Sequence, residues 1–163
     1  MIDWQWSHFD QLNTHELYQL LRLRQAVFAV EQDCVYQDCD NADPYCWHLL
    51  GWTQPPNNDQ DQSQQATEGR RIAAYLRVVP AGMKYSEIAI GRVVIADHVR
   101  GKGYGKLLMS EGIRRVEQRW PKSSIRISAQ AHLQPFYGEL GFNCVSEPYQ
   151  EDGIPHVEML RSA

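Results

Sequence analysis

The sequence has no long apolar run. No stretch of its 163 residues approaches the roughly 20 consecutive apolar side chains of a membrane-spanning helix, so no membrane partner is expected. A basic excess is missing too: 16 Lys and Arg stand against 20 Asp and Glu, a formal net charge of −4. That balance argues against a nucleic-acid partner. The opening Met1-Ile2-Asp3-Trp4-Gln5-Trp6 carries neither a basic stretch nor an apolar core of a secretion signal, and a cytoplasmic protein is expected. Cysteine is scarce, with only Cys34, Cys39, Cys46 and Cys144. Without an export signal, reduced thiols are expected rather than disulfides. Cys34, Cys39, Cys46 and His48 crowd together, yet the spacing C-x4-C-x6-C-x-H fits no compact zinc knuckle, and no metal is expected.

What is present reads as a single domain over 1–163 with alternating helices and strands. Asn13 caps a helix start, with Glu16 as its capping-box partner, and Leu17, Leu20 and Leu21 follow at helical spacing. This helix is expected to end near Ala26, with a short helical turn over Val27–Gln32. Residues 33–44 form an acidic loop. Strands are expected over 45–53, 71–80, 86–96, 124–129, 142–145 and 157–161, and helices over 103–119 and 133–140. Pro121 stops the first of these helices and Gly141 the second. Gly91 inside the strand 86–96 suggests a bulge or a close backbone approach. The polar, Gln- and Asp-rich stretch 53–69 reads as a flexible inserted loop, and a substrate lid is the other reading of it. Strand 86–96, helix 103–119 and strand 124–129 make a βαβ unit, whose two strands should be parallel.

The most specific stretch is "ADHVRGKGYGKLLM", residues 96–109. A strand runs into a glycine-rich turn that opens a helix. Such a turn points backbone N–H groups into one concavity at the positive end of a helix dipole, where a phosphate fits. Arg92, Arg100, Lys102 and Lys106 make this a basic island in an acidic chain. The P-loop pattern fails, because Leu107 follows Gly105-Lys106 and Arg100 stands where the first glycine belongs. The dinucleotide pattern G-x-G-x-x-G fails at Lys106.

The run Arg100-Gly101-Lys102-Gly103-Tyr104-Gly105 fits Arg/Gln-x-x-Gly-x-Gly/Ala, and it resembles the acetyl-CoA signature of the GNAT N-acetyltransferases. "AHLQPFYGELGF" (131–142) is similar to that family's second motif, and the element order is similar along the whole chain. "LRQAVFAVEQDCVYQDCD" (23–40) and "YQEDGIPHVEM" (149–159) resemble the ElaA branch of the family.

The resemblance implies an α/β fold with a mixed, mostly antiparallel sheet and two splayed parallel strands. It implies acetyl-CoA as cosubstrate, in the gap between strands 86–96 and 124–129. The pantetheine arm would lie along Val93, Val94 and Ile95. The pyrophosphate would sit on Arg100, Gly101, Lys102, Gly103, Tyr104, Gly105 and Lys106, with Phe136 nearby. Tyr137 would be the general acid for the departing thiolate. A base for the amine is less defined: Glu31, Asp38, Asp40, Glu87, His132 and His156 are all candidates, and a water chain could replace them. Asp38, Asp40, His132 and His156 are candidates for holding the acceptor, since acidic and aromatic groups suit a cationic amine. The expected partner is a small-molecule or peptide amine, and a homodimer is compatible with such a chain. A non-catalytic CoA-binding module would keep the turn and dispense with Tyr137. Acyl-homoserine-lactone synthesis, suggested by the Arg24 to Phe28 segment, lacks the methyl-donor features it needs.

Overall fold

The computed structural model describes residues 1–54 and 69–163. The inserted loop expected over 53–69 lies almost wholly outside them. In chain order the elements are β1 (Asp3–His8), α1 (Thr14–Arg24), β2 (Trp47–Thr53), β3 (Arg71–Val79), β4 (Ile88–Ile95), α2 (Tyr104–Arg119), β5 (Ile125–Gln130), α3 (Gln134–Gly138), β6 (Asn143–Cys144), β7 (Tyr149–Glu151) and β8 (Ile154–Arg161). The strands form one sheet in the order β1-β2-β3-β4-β5-β8-β6, and β7 pairs with β8 off that path. All the pairs are antiparallel except β4 and β5, which are parallel as the βαβ pattern required.

The apolar run of β3 is continuous because both faces of the sheet are covered. Leu76 and Val78 meet Leu108, Met109, Ile113 and Val116 of α2 in one core. The alternate residues Ala73 and Tyr75 join Leu20 and Leu23 of α1 in a second core on the other face. Helix α2 lies so close to β3 that a Cβ on Gly112 would stand 2.7 Å from a methyl of Leu76. A larger residue there would force the Leu76 side chain to shift.

The cap expected at Asn13 is present. Its side chain accepts from the Glu16 N–H at 2.9 Å, and Glu16 accepts from the Asn13 N–H at 3.0 Å. The helix does not break near Ala26, however. It widens into a π-helix over Gln25–Glu31. Such wide turns cluster at functional sites, and this one carries Val27 and Glu31 to a cavity wall. Strand β1 had not been expected, although Trp4 and Trp6 alternate with polar residues as a strand requires. Strand β8 begins three residues before the expected start, and β6 is shorter than the expected strand 142–145.

Strand β2 carries a buried imidazole. His48 is fully buried, with its ring nitrogens 2.8 Å from the Tyr75 hydroxyl and 3.0 Å from the Asp43 carbonyl oxygen. Burial outweighs the hydrogen bond to the Asp43 carbonyl and lowers its pKa from 6.5 to about 4. A depressed folded value means that its contribution to stability is complete above the unfolded value and is lost as pH falls through the folded one. The expected loss is about 2 kcal/mol between pH 7 and pH 4.5. Urea melts at the two pH values should show it, and His48→Gln should lose correspondingly less on acidification. Equal losses in the two proteins would exclude His48 as the source.

No helix among the described residues is long and apolar enough to cross a membrane. The four cysteines are free thiols, with Cys34 and Cys46 buried and Cys39 and Cys144 exposed.

Candidate active site

The site starts from a defect in β4. Tyr75 pairs with Val94, but Arg77 pairs with Gly91, so β4 carries an extra residue beside Gly91. This is the bulge that Gly91 suggested. Arg92, inside it, has φ of 53°, a left-handed conformation that costs a non-glycine residue roughly 1–2 kcal/mol. Beyond the bulge β4 diverges from β5. Only Ile88 and Ala89 pair with β5, at Ile125 and Arg126. From Ile90 onward the β4 edge facing β5 has no strand partner among the described residues, and a V-shaped cleft opens between the two strands.

At the far end of β4 the chain passes through a short 3-10 turn, Asp97–Val99, into the glycine run. Gly101 and Gly103 take φ of 75° and 77°, which glycine adopts at least cost. A Cβ built on either would meet nothing within 4 Å. Gly103 is the N-cap of α2 and, having no side chain, does not cap that helix end. The first N–H groups of α2 are therefore left for a ligand, at the positive end of a four-turn dipole. A cavity of about 310 Å³ stands over them, lined by Val93, Val94 and Ile95 on one side and by Arg100, Gly101, Gly103, Tyr104 and Gly105 on the other. These are the residues that suit a diphosphate joined to an amide-bearing arm. The π-helix closes the cavity with Val27 and Glu31.

The side chains of three expected cofactor residues make contacts outside this cavity. Lys102 Nζ donates to the His98 carbonyl at 3.3 Å, and Lys106 Nζ to Glu139 at 3.1 Å. Neither side chain lines the cavity. Phe136 lies behind the turn, 3.7 Å from where a Gly105 Cβ would be, so it supports the loop from below.

The larger cavity, about 590 Å³, fills the cleft and shares Gln32 and Val93 with the smaller one. Tyr137 lines it and is 7% exposed. Burial pushes its hydroxyl up to about 12, so the group holds its proton at neutral pH. Phe136 and Phe142 meet its ring edge-on, with centroids 5.0 and 6.1 Å away, and fix its plane. His156 and Asp40 also line this cavity.

Other candidates stand elsewhere. Glu31 accepts from Arg100 in a 2.7 Å ion pair on the wall of the smaller cavity, away from Tyr137. His132 is exposed and lines neither cavity. Glu87 is held by Arg126 at 2.7 Å.

The acidic loop is not a bare cation cradle. Asp38 accepts from Arg24 Nε at 2.8 Å and Arg92 Nε at 2.7 Å. Asp40 takes Arg77 through two bonds of 2.7 Å. Asp43 is shared by Arg24 at 2.8 Å and Arg77 at 2.9 Å. Three guanidiniums thus face three carboxylates, and the charge of these three aspartates is balanced by arginines of α1, β3 and the β4 bulge. Burial raises the pKa of Asp43, but the Arg24 and Arg77 hydrogen bonds more than reverse that, and the net direction is down. This network was missed because the arginines lie 14 to 54 residues from their partners. A buried-strand Arg77 among apolar neighbours was the only local sign of it.

A family model described as an acetyltransferase (GNAT) domain matches residues 48–162. The protein ElaA of Escherichia coli K12 is 40% identical over 163 residues, covering 99% of this chain and 97% of that protein. Its crystal structure has a TM-score of 0.85, covering 99% of this chain and 100% of ElaA. An acyl-CoA N-acyltransferase from Pseudomonas aeruginosa gives 0.87 at 38% identity, with 99% and 100% of the two chains covered. An aminoglycoside 6'-N-acetyltransferase crystallised with coenzyme A shares the fold alone, at 16% identity and a TM-score of 0.63 over 97% of this chain and 96% of that one. With a splayed β4–β5 pair and an amide-lined glycine turn in place, and relatives matching over nearly the full length, the chain belongs to the GNAT acetyltransferase family.

Proposed function

We propose that this chain is an N-acetyltransferase that moves the acetyl group of acetyl-CoA to a primary amine of a small molecule or peptide, by direct attack. The observation that carries the reading is that the two cavities adjoin. The anion cradle at Gly101–Gly105 and the Tyr137 cleft share Gln32 and Val93 in their walls, so one extended ligand lying along Val93 would hold its phosphates in the first and present a thioester to the second. The coenzyme A held by a neighbour in fold supports the same ligand here.

Each part of the chain has a defined task in that reaction. Backbone N–H groups of the turn and α2 bind the diphosphate. The unpartnered β4 edge binds the amides of the arm as an added strand would. A backbone N–H at the bulge, Val93 to Ile95, is the donor for the developing oxyanion. Tyr137 supplies the proton that the leaving sulfur needs, and its burial keeps that proton in place until then. The acceptor must arrive as a neutral amine. For a lysine-like ammonium, deprotonation at pH 7 costs roughly 4.6 kcal/mol, which a base in the cleft must offset.

The test is thiol release from acetyl-CoA against a panel of amines, beside the melting temperature with and without acetyl-CoA. Tyr137→Phe should lower kcat about 100-fold, at the low end of general-acid effects, while keeping the acetyl-CoA-induced rise in melting temperature. Unchanged kcat in that variant would remove Tyr137 from the chemistry. A wild-type protein with no rise at saturating acetyl-CoA would remove the cosubstrate.

A further inference from the structure

The base is the part of the reaction that the sequence left open, and the β7–β8 hairpin holds a group shaped for it. This inference rests on the acetyl-transfer reading above. The hairpin turns at Asp152 and Gly153, whose φ values are 50° and 75°. Asp-Gly with both φ positive is the tight two-residue turn whose twist matches antiparallel strands. It fixes the register, so that Tyr149 lies opposite His156 and Glu151 opposite Ile154. On its other side His156 pairs with Gln130 at the end of β5. The ring is thus pinned between two strands on the arm of the cleft that faces β4.

The tautomer follows from one hydrogen bond. His156 Nδ1 lies 2.7 Å from the Ile154 carbonyl oxygen. That oxygen can only accept, so Nδ1 carries the hydrogen. The neutral ring then has its lone pair on Nε2. The ring stacks on Tyr149 at 6.1 Å and 29°, which sets its plane. Its side chain is 13% exposed, and it lines the cavity that also holds Tyr137. Nε2 stands 3.9 Å from Glu151 Oε2, too far for a direct hydrogen bond. An N–H group seated against the carboxylate would therefore find the Nε2 lone pair beside it. The carboxylate does not swing freely. Its Oε2 accepts from Ser128 Oγ at 3.0 Å, and that hydroxyl is hydrogen-bonded to the Tyr149 hydroxyl.

We propose that His156 Nε2 is the general base for the acceptor amine and that Glu151 holds the incoming ammonium beside it. One proton passes from the ammonium to Nε2, leaving a neutral amine. The amine lone pair forms the C–N bond at the thioester carbonyl carbon. The C–S bond breaks with its electron pair on sulfur, and Tyr137 protonates the thiolate. The second amine proton returns through water to the tyrosine, and the imidazolium releases its proton to bulk. Other titratable groups surround the ring. From the hairpin come Tyr149, Glu151 and Asp152. On its own strand Glu158 is held by Arg126 at 2.7 Å. Across the cavity stand Cys34, Tyr36, Lys84, Tyr85 and Tyr137, with Arg92 paired to Asp38 and Arg77 paired to Asp40. His132, in the 3-10 turn packed against β8, is exposed to solvent.

The experiment is the pH profile of kcat/KM for wild type, His156→Gln and Glu151→Gln, with the best amine of the panel. Wild type should lose activity on the acid side as the imidazole protonates. His156→Gln should keep the acetyl-CoA-induced rise in melting temperature, lose about 100-fold in kcat and lack that acid limb. Glu151→Gln should raise KM for the amine while keeping the acetyl-CoA-induced rise in melting temperature. Wild-type kcat and acid limb in His156→Gln overturn the base assignment and leave acetyl transfer standing. If that variant fails to fold, a wild-type KM for the amine in Glu151→Gln overturns the pair. A wild-type protein that binds acetyl-CoA and releases thiol with no amine overturns base and reaction together.

Discussion

Gly103→Glu should abolish the stabilisation that acetyl-CoA confers. At a ligand concentration of 100 Kd the wild-type protein gains about 2.7 kcal/mol, or ~5–10 °C in melting temperature for a chain of this size. Gly103 has φ of 77° and nothing within 4 Å of its missing Cβ, so the fold accepts a side chain there at the cost of backbone strain alone. A carboxylate at a helix N-cap is even favourable to the helix. What it cannot share is the concavity. It would occupy the space above the free α2 amides and set a like charge about 4 Å from a phosphate. At an effective dielectric near 20 that repulsion is about 4 kcal/mol, roughly a thousandfold in Kd. Gly103→Ala separates the contributions: it carries the same strain and no charge, and should keep most of the rise. Calorimetric titration with acetyl-CoA checks both variants. Wild-type affinity in Gly103→Glu would mean that the diphosphate lies elsewhere.

The same position shows why part of this site could be read from the sequence. Three glycines between a strand and a helix constrain the backbone locally, and the helix start fixes where the orphan amides point. Arg100, Gly101 and Gly103–Gly105 therefore line one cavity together, and Tyr137 lines the cleft beside it. Asn13 with Glu16 is equally local, and that cap formed as expected. The acidic loop shows the opposite. Asp38, Asp40 and Asp43 suggested a pocket for a cation because nothing nearby in sequence neutralised them. Their partners come from residues 24, 77 and 92, brought together only when α1 packs against the sheet. His156 lies between these cases. Its residue type made it a candidate base, but its tautomer depends on a hairpin turn and its location on pairing with β5. Strand β1 was missed for a different reason. Its two tryptophans alternate over too few residues to outweigh the polar positions between them, and its place at the sheet edge becomes clear only through β2.

Asp43→Asn should be the most destabilising single-atom change in the chain. Asp43 is 7% exposed and serves two arginines, one of them, Arg24, wholly buried. The substitution keeps the shape and removes the charge, leaving two guanidiniums with too little counter-charge in a poorly solvated place. Breaking a buried pair in this way costs about 3–5 kcal/mol, or a fall of about 10 °C or more in melting temperature. Asp40→Asn should cost less, because Asp40 has a third of its side chain in solvent and water can replace part of what is lost. The sign of the pH dependence follows from the depressed pKa of Asp43. Its contribution is complete above the ordinary carboxylate value near 3.9 and disappears as pH falls through the lower folded value. The stability gap between wild type and Asp43→Asn should therefore be constant from pH 7 to about pH 4.5 and narrow below about pH 4. Urea melts across that range measure it. The effect should also reach the cleft. Arg92 holds its left-handed backbone at the β4 bulge with its guanidinium on Asp38, and Asp38 is shared with Arg24. Releasing Arg24 loosens that chain, and a bulge free to relax would let β4 close on β5. Asp43→Asn should thus weaken acetyl-CoA binding at temperatures where the variant is still folded. A gap within 0.5 kcal/mol at pH 7 would mean that the network is not what holds the acidic loop against the sheet.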